Sequence, residues 1–115
     1  MENTFDYVKV AVKALSNHLG NNIDVLDISK LTPVTDYFII TDGASTTQME
    51  ALADACEEAV VKAGHAPART EGTRSESWIL LDFTDFIVHI FSDKSRQFYD
   101  LGRLWSDAAK VQIEE

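Results

Sequence analysis

Three side chains in this sequence have the types that nucleophilic catalysis requires: the hydroxyl of Ser45, the imidazole of His89 and the carboxylate of Asp82. Such chemistry needs a nucleophile on a tight turn with an oriented base beside it. The spacing around Ser45 does not have the form of a nucleophile elbow, because the second residue after it is Thr47 rather than glycine. A small nucleotide-binding or hydrolytic enzyme that uses the Gly43–Ser45 loop is therefore the alternative function and not the first.

The Gly43–Ser45 loop is also a weak candidate for phosphate binding. It has one glycine and no lysine, whereas phosphate loops repeat glycine or end in Gly-Lys-Ser/Thr. Free amides at a helix start could still bind an anion. Ser45 followed by Gln48 has the form of a capping box, in which each side chain satisfies an orphan amide of the other. Capping is the simpler interpretation.

Metal chemistry finds no support in the sequence. The three histidines lie on separate segments without ligand spacing. Asp24 and Asp27 would point to opposite faces of a strand, so they could not chelate one ion together. Cys56, the single cysteine, excludes an internal disulfide and is expected to pack in the core. We therefore expect no metal, no cofactor and no catalysis.

The composition predicts one soluble domain over residues 1–115. Nineteen acidic residues stand against ten basic ones, and the net charge is −9. Such a field repels phosphate backbones, so any contact with RNA should be minor, and it favours a basic protein partner. The alternative is that the acidity serves solubility alone. The chain has neither a secretory leader nor a membrane-length apolar run, so a cytoplasmic protein without membrane contact is expected.

Hydrophobic periodicity predicts the elements. In chain order they are a helix over 4–19, strands over 23–28 and 37–41, a helix from Ser45 to Ala63, a short edge strand over 69–71, a hairpin of strands 78–83 and 86–91, and a helical segment over 92–113 bent at Gly102. Gly20 and Asn21 are the expected stop of the first helix. The predicted order is α-β-β-α-β-β-β-α, which defines an α/β (α+β-like) fold with one mixed sheet packed by helices.

Alternation along the hairpin separates two faces of the sheet. One face is wholly apolar and should pack against the helices: Ile79, Leu81, Phe83, Phe86, Val88 and Ile90. The other face, called the mixed face below, carries Trp78, Leu80, Asp82, Ile87, His89 and Phe91. Large aromatic residues beside a carboxylate and an imidazole are typical of a protein interface. The alternative is that the last helical segment covers this face, with His89 as a semi-buried structural histidine.

Four stretches resemble the ribosomal silencing factor (Iojap) family. They are VLDISKLTPVTDYFIITDGASTTQ, the pair Glu71-Gly72, WILLDFTDFIVHIF and RQFYDLGRLWSDA, in order from Val25 to Ala108. The resemblance implies a five-stranded mixed sheet flanked by helices, with a nucleotidyltransferase-like topology and without catalysis. It also implies binding to ribosomal protein number fourteen of the large subunit, which would sterically block joining of the small subunit.

Strand parity and this resemblance together assign the residues of the binding site. We expect Trp78, Leu80 and Phe91 to be apolar anchors. Asp82 should pair with a cation of the basic protein or accept a hydrogen bond from it. The supporting and weaker candidates are His89, Tyr99, Asp36 and Tyr37. A homodimer through the mixed face, formed off the ribosome, remains a further possibility.

The sequence departs from the family pattern at the hairpin turn. Thr84 occupies a position that commonly carries glycine in the family. A β-branched residue resists positive φ, so we expect a different type of turn here.

Overall fold

A computed structural model describes residues 4–69, 77–98 and 108–111. Its elements are α1 (Thr4–Asn17), β1 (Asn21–Asp27), β2 (Tyr37–Gly43), α2 (Thr46–Lys62), β3 (Trp78–Asp82), β4 (Phe86–Ser92), α3 (Asp93–Phe98) and β5 (Ala109–Lys110). The strands form one five-stranded sheet in the order β3-β4-β2-β1-β5. The predicted class, a mixed sheet flanked by helices, is confirmed. Within the described ranges no helix is long and apolar enough to cross a membrane.

The centre of the sheet is a parallel pair, β2 with β4, and the other pairs are antiparallel. A parallel neighbour requires a crossover, and α2 lies on the chain between β2 and the β3–β4 hairpin. The last five residues of β2 are buried. This explains why β2 reads as a continuous run of β-branched and aromatic residues instead of an alternating strand.

The element order differs from the prediction at the fifth strand. Of the predicted edge strand over 69–71, only Arg69 lies within the described residues, and it forms a bridge to Asp82. An additional strand, β5, pairs with β1 through Lys110 opposite Leu26 and Ala109 opposite Asp27. Over the described ranges the order is α-β-β-α-β-β-α-β. The predicted helix over 92–113 is thus wrong at its end, where the chain forms β5. A strand of two residues is too short to show an alternating pattern in the sequence, and it forms because the edge of β1 is available to pair with it.

Helices α1 and α2 cover the apolar face of the sheet. Their buried residues include Val8, Leu15, Leu52 and Cys56, and they join one core cluster with the apolar hairpin set, all of whose members are at most 1% exposed. Burial of the Cys56 thiol raises its pKa to about 12. The predicted faces of the hairpin and the core position of Cys56 are confirmed.

The end of α1 differs from the sequence-based expectation that Gly20 adopts the left-handed conformation that ends the helix. Leu19, at φ +64°, is the residue in left-handed conformation, and Gly20 donates to the Leu15 carbonyl at 2.8 Å. This is a Schellman-type end with leucine where glycine is usual. Gly20 is needed for space instead, since a Cβ there would lie 2.9 Å from Oγ1 of Thr41.

The β3–β4 turn overturns the expectation for Thr84. Its φ is +74°, and the Asp85 amide donates to the Phe83 carbonyl across it at 2.9 Å, which closes a γ-turn. The Phe83 amide also donates to Phe86 at 3.0 Å. Strand pairing on both sides therefore imposes a conformation that threonine disfavours by about 1–3 kcal/mol.

Candidate partner-binding face

The mixed face is assembled by the register of four strands. On β3 and β4, Trp78 lies opposite Phe91, Leu80 opposite His89 and Asp82 opposite Ile87, as strand parity predicted. The parallel pairing with β2 places Phe38 beside Ile87, Ile40 beside His89 and Asp42 beside Phe91. Leu26 and Asp24 of β1 continue the rows beyond β2.

This face has a buried floor and a half-buried rim. The floor contains Leu26, Ile40 and Phe91, which form a second core cluster together with Ile28. His89, which is 4% exposed, also belongs to the floor. The rim consists of half-buried side chains: Trp78, Leu80, Asp82, Ile87 and Phe38. Only the rim can contact a partner without rearrangement. Phe91, at 0% exposure, therefore does not fit the predicted role of a surface anchor and instead supports the Trp78 ring.

A hydrogen bond joins the rim to the floor. The indole Nε1–H of Trp78 donates to Nδ1 of His89 at 3.1 Å. An accepting Nδ1 requires the neutral imidazole with its proton on Nε2. Among the described residues, Nε2 is buried with no hydrogen-bond partner. His89 is thus a buried, neutral acceptor and not a surface cation.

Burial and aromatic neighbours hold the His89 ring. Phe38 meets it edge-on at a centroid distance of 4.7 Å, and the Phe91 ring is nearly parallel to it at 6.2 Å. Desolvation in this environment lowers the pKa of His89 from 6.5 to about 4. The imidazole therefore stays neutral at physiological pH.

Asp82 is held in place at the turn. Its Oδ1 accepts from the Thr84 amide at 2.8 Å, and its main chain bridges to Arg69. The side chain is half-buried at the end of β3. A carboxylate oriented by its own turn is ready to accept a donor from a partner with little further loss of side-chain entropy.

An ion-pair network closes the opposite end of the mixed face. Arg96 of α3 donates to Oδ2 of Asp42 at 2.9 Å and to Oδ2 of Asp24 at 2.7 Å, and Lys110 of β5 lies 3.8 Å from Asp24. The Asp42 side chain is only 6% exposed. The network ties α3 and β5 to the sheet and is a structural feature, since its charges satisfy one another.

The remaining predicted site residues do not join the mixed face. Tyr37 packs against the core on the helix side, with its ring 5.9 Å from that of Phe5. Asp36 is exposed in the preceding loop, where its amide donates to Asp85. Tyr99 lies outside the described residues. Sequence reasoning missed Phe38, which alternation on β2 would have found had the parallel β2–β4 neighbour been known.

The Gly43–Ser45 loop caps α2. Oγ of Ser45 accepts from the Gln48 amide at 3.1 Å, while Oε1 of Gln48 accepts from Ala44 at 2.7 Å. The predicted capping box is present, shifted by one residue on the return bond. Ser45 follows the end of β2 that lies beside Ser92, whereas Asp82 lies beside Ile87. These ends are five β4 residues, roughly 15 Å, apart, so Ser45 and Asp82 cannot share one catalytic site.

The chain folds as an α+β domain whose five-stranded sheet carries the mixed face on one side. In the described ranges, no group of three or more potential ligand side chains could hold a metal ion. The family model for "Ribosomal silencing factor during starvation" (RsfS) matches residues 1–115. The chain belongs to this RsfS family, which is named for ribosomal silencing and not for an enzymatic reaction.

Relatives agree with this assignment. A "Ribosomal silencing factor RsfS" of Chromobacterium violaceum is 36% identical over 84% of this chain and 80% of its own length. "Protein Iojap, chloroplastic" of Zea mays is 33% identical over 88% of this chain and 44% of the plant protein. A crystal structure of a Chromobacterium violaceum protein superposes with a TM-score of 0.85 at 32% identity, covering 98% of this chain and 91% of that one.

Proposed function

We propose that this protein silences translation by binding the large ribosomal subunit through its mixed face, on a basic ribosomal protein, and by sterically preventing the small subunit from joining. The partner implied by the family resemblance is ribosomal protein number fourteen, and the place of action is the cytoplasm. The observation that carries the proposal is the half-buried rim of Trp78, Leu80 and Asp82, which lies over a buried floor of aliphatic and aromatic side chains on an acidic protein.

The rim has the composition of a binding hot spot. Trp78, Leu80, Ile87 and Phe38 supply apolar area that is only partly covered within the chain, and Asp82 supplies one oriented acceptor. Aromatic anchors surrounded by polar groups provide most of the affinity in protein interfaces. The buried floor beneath them limits the entropy lost on docking.

Charge favours a basic partner. The chain has a net charge of −9, so a positively charged ribosomal protein would be attracted over about one Debye length of ~8 Å at physiological salt. The same field opposes close contact with ribosomal RNA. We therefore assign any RNA contact a minor part.

The blocking step needs only the volume of the domain. The molecule measures 34 × 32 × 29 Å. A body of this size on the surface where the subunits meet would occupy space that the small subunit needs. An interface of roughly 800 Å² per partner would suffice to hold it there.

Co-sedimentation with purified ribosomal subunits tests the proposal. We expect the protein to pellet with isolated large subunits, to be absent from small subunits and joined ribosomes, and to reduce joining when added first. Binding to large subunits without any effect on joining would contradict the blocking step. Failure to bind large subunits at all would contradict the docking step.

Light scattering of the protein alone tests the homodimer that uses the same face. If a dimer forms, added large subunits should dissociate it, because both partners would compete for Trp78. A dimer that persists on the subunit would place the docking site elsewhere.

A further inference from the structure

His89 is a polar residue in a position that packing alone would give to an apolar one. It lies on β4 between Leu80 and Ile40 in the register of the sheet, and it is 4% exposed. Its Nε2 has no hydrogen-bond partner among the described residues. Burying an unpaired donor costs free energy, so a leucine here would serve the stability of the fold at least as well.

Histidine at this position makes one hydrogen bond that leucine could not make, and its donor is Trp78. Nδ1 of His89 accepts the indole Nε1–H of Trp78 at 3.1 Å, across the β3–β4 pair. The Trp78 ring also lies 5.0 Å from the Phe91 ring, at an interplanar angle of 35°. Ring packing on Phe91 does not distinguish the two orientations in which the flat indole could lie. The hydrogen bond selects one of these orientations.

We propose that His89 is the positioning residue of the partner-binding face, and that its buried Nδ1 fixes the Trp78 indole in the orientation that the partner recognises. This inference rests on the proposed function, in which Trp78 is an anchor. His89 itself does not contact the partner, since the floor that contains it is buried.

The surroundings of His89 hold its imidazole ring in a fixed plane and in the neutral form. Phe38 meets the imidazole at an interplanar angle of 83°, and Phe91 stacks on it at 6°. The two phenyl rings restrict the plane of the imidazole, and within that plane the hydrogen bond from Trp78 specifies the edge on which Nδ1 lies. The neutral form is also maintained near pH 7, because desolvation lowers the pKa of His89 to about 4, and a protonated Nδ1 could not accept.

Two substitutions separate positioning from packing. His89→Asn keeps an acceptor oxygen close to the position of Nδ1, whereas His89→Leu keeps volume and removes the acceptor. We expect His89→Leu to weaken binding to large subunits about tenfold, the value of one lost orienting hydrogen bond. His89→Asn should stay within about threefold of the original protein. Equal losses in both variants, or no loss in His89→Leu, would overturn the inference.

A double-mutant cycle tests whether His89 acts through Trp78. In the Trp78→Phe background the indole donor is gone, so adding His89→Leu should change the affinity less than twofold. An undiminished tenfold effect in that background would show that His89 acts by another route and would overturn the inference.

The indole resonance of Trp78 gives a readout that does not depend on the ribosome. The chain has two tryptophans, so the Trp78→Phe spectrum assigns the ¹H–¹⁵N signal. We expect a hydrogen-bonded signal that is kept in His89→Asn and moves upfield, with faster exchange, in His89→Leu. If the original protein fails to bind large subunits, the proposed function fails, and this spectrum alone decides the positioning: an unchanged signal in His89→Leu overturns it.

Discussion

The backbone amide of Thr84 donates a hydrogen bond to Oδ1 of Asp82 at 2.8 Å, while Thr84 itself adopts a φ of +74°. The strained turn and the acidic residue of the mixed face are therefore one local structure. The strain is maintained by the pairing of β3 with β4 on both sides of the turn. Asp82 gains a fixed orientation because its turn closes in this way.

Replacing Thr84 with glycine should stabilise the protein. Glycine adopts positive φ without steric cost, and this outweighs its greater freedom in the unfolded chain by roughly 1 kcal/mol. Urea unfolding of Thr84→Gly measures the change. Thr84→Ala is the matched control, because it removes the β-branch but keeps a Cβ, and it should gain less. A glycine variant less stable than the original would mean that the turn is not strained.

Removing the charge of Asp82 without disturbing its turn should weaken binding to large subunits. Asp82→Asn retains an oxygen for the Thr84 amide and should lose roughly fivefold in affinity, whereas Asp82→Lys should lose about a hundredfold against a basic partner. Affinities at two salt concentrations would show a smaller salt dependence for Asp82→Asn. The control is Glu58→Lys on exposed α2 surface, which matches the charge change of Asp82→Lys. If Asp82→Lys and Glu58→Lys lost the same affinity, the effect would come from net charge alone and not from a contact at Asp82.

Removal of Arg96 should destabilise the fold strongly. Arg96→Gln leaves the carboxylate of Asp42, 6% exposed, without its charged partner, and breaking such a pair costs about 2–4 kcal/mol. Adding Asp42→Asn should recover part of this loss, because the uncompensated charge is then gone. Thermal and urea unfolding of the single and double variants measure both effects. Additive losses would contradict a coupled pair.

Stability should fall with acidification through His89. The pKa of His89 is lowered from 6.5 to about 4 in the folded state, so between these values the unfolded chain binds a proton that the folded protein excludes. The free energy of unfolding should therefore decrease below pH 6.5 by up to about 1.4 kcal/mol per pH unit, until the pH reaches about 4. The difference between the original protein and His89→Asn isolates this residue. A pH-independent difference would contradict a buried neutral imidazole.

Ser45 should act in stability and not in nucleotide binding. Ser45→Ala removes the acceptor of the Gln48 amide and should cost about 1 kcal/mol, whereas Ser45→Asp keeps an acceptor and should cost little. Calorimetry with nucleoside triphosphates should detect no binding to the original protein. Low-micromolar binding that is lost in Ser45→Ala would favour the alternative enzyme.

Period-2 alternation on the hairpin was a reliable guide, because side-chain direction on a strand is a local property. It separated the Leu81 side from the Trp78 side correctly. Alternation could not say that β2 runs parallel beside β4, so Phe38 was missed as a member of the mixed face. It also could not show that Phe91 and His89 are floor and Trp78 is rim, since depth depends on everything packed around a residue.

The conformations of Leu19 and Thr84 were beyond local rules for a related reason. Propensity places glycine at positive φ, yet both residues adopt it. At Thr84 the pairing of β3 with β4 outweighs the preference of a single residue. At the end of α1, glycine is required at position 20 because the backbone there lies close to the side chain of Thr41. The left-handed conformation is adopted by the preceding residue, Leu19.

The sequence by itself determined the acidic charge, the two helices and four strands of the sheet, the apolar face that forms the core and, through the family resemblance, the expected task. The charge, the elements and the apolar face follow from composition and short-range periodicity, which the chain carries whatever its fold, whereas the expected task follows from the resemblance alone. Only the tertiary structure decided the fifth strand at Ala109–Lys110, the network of Arg96 and the hydrogen bond from Trp78 to His89. Each of these joins residues on different elements, and such pairings depend on the register and burial of the whole domain.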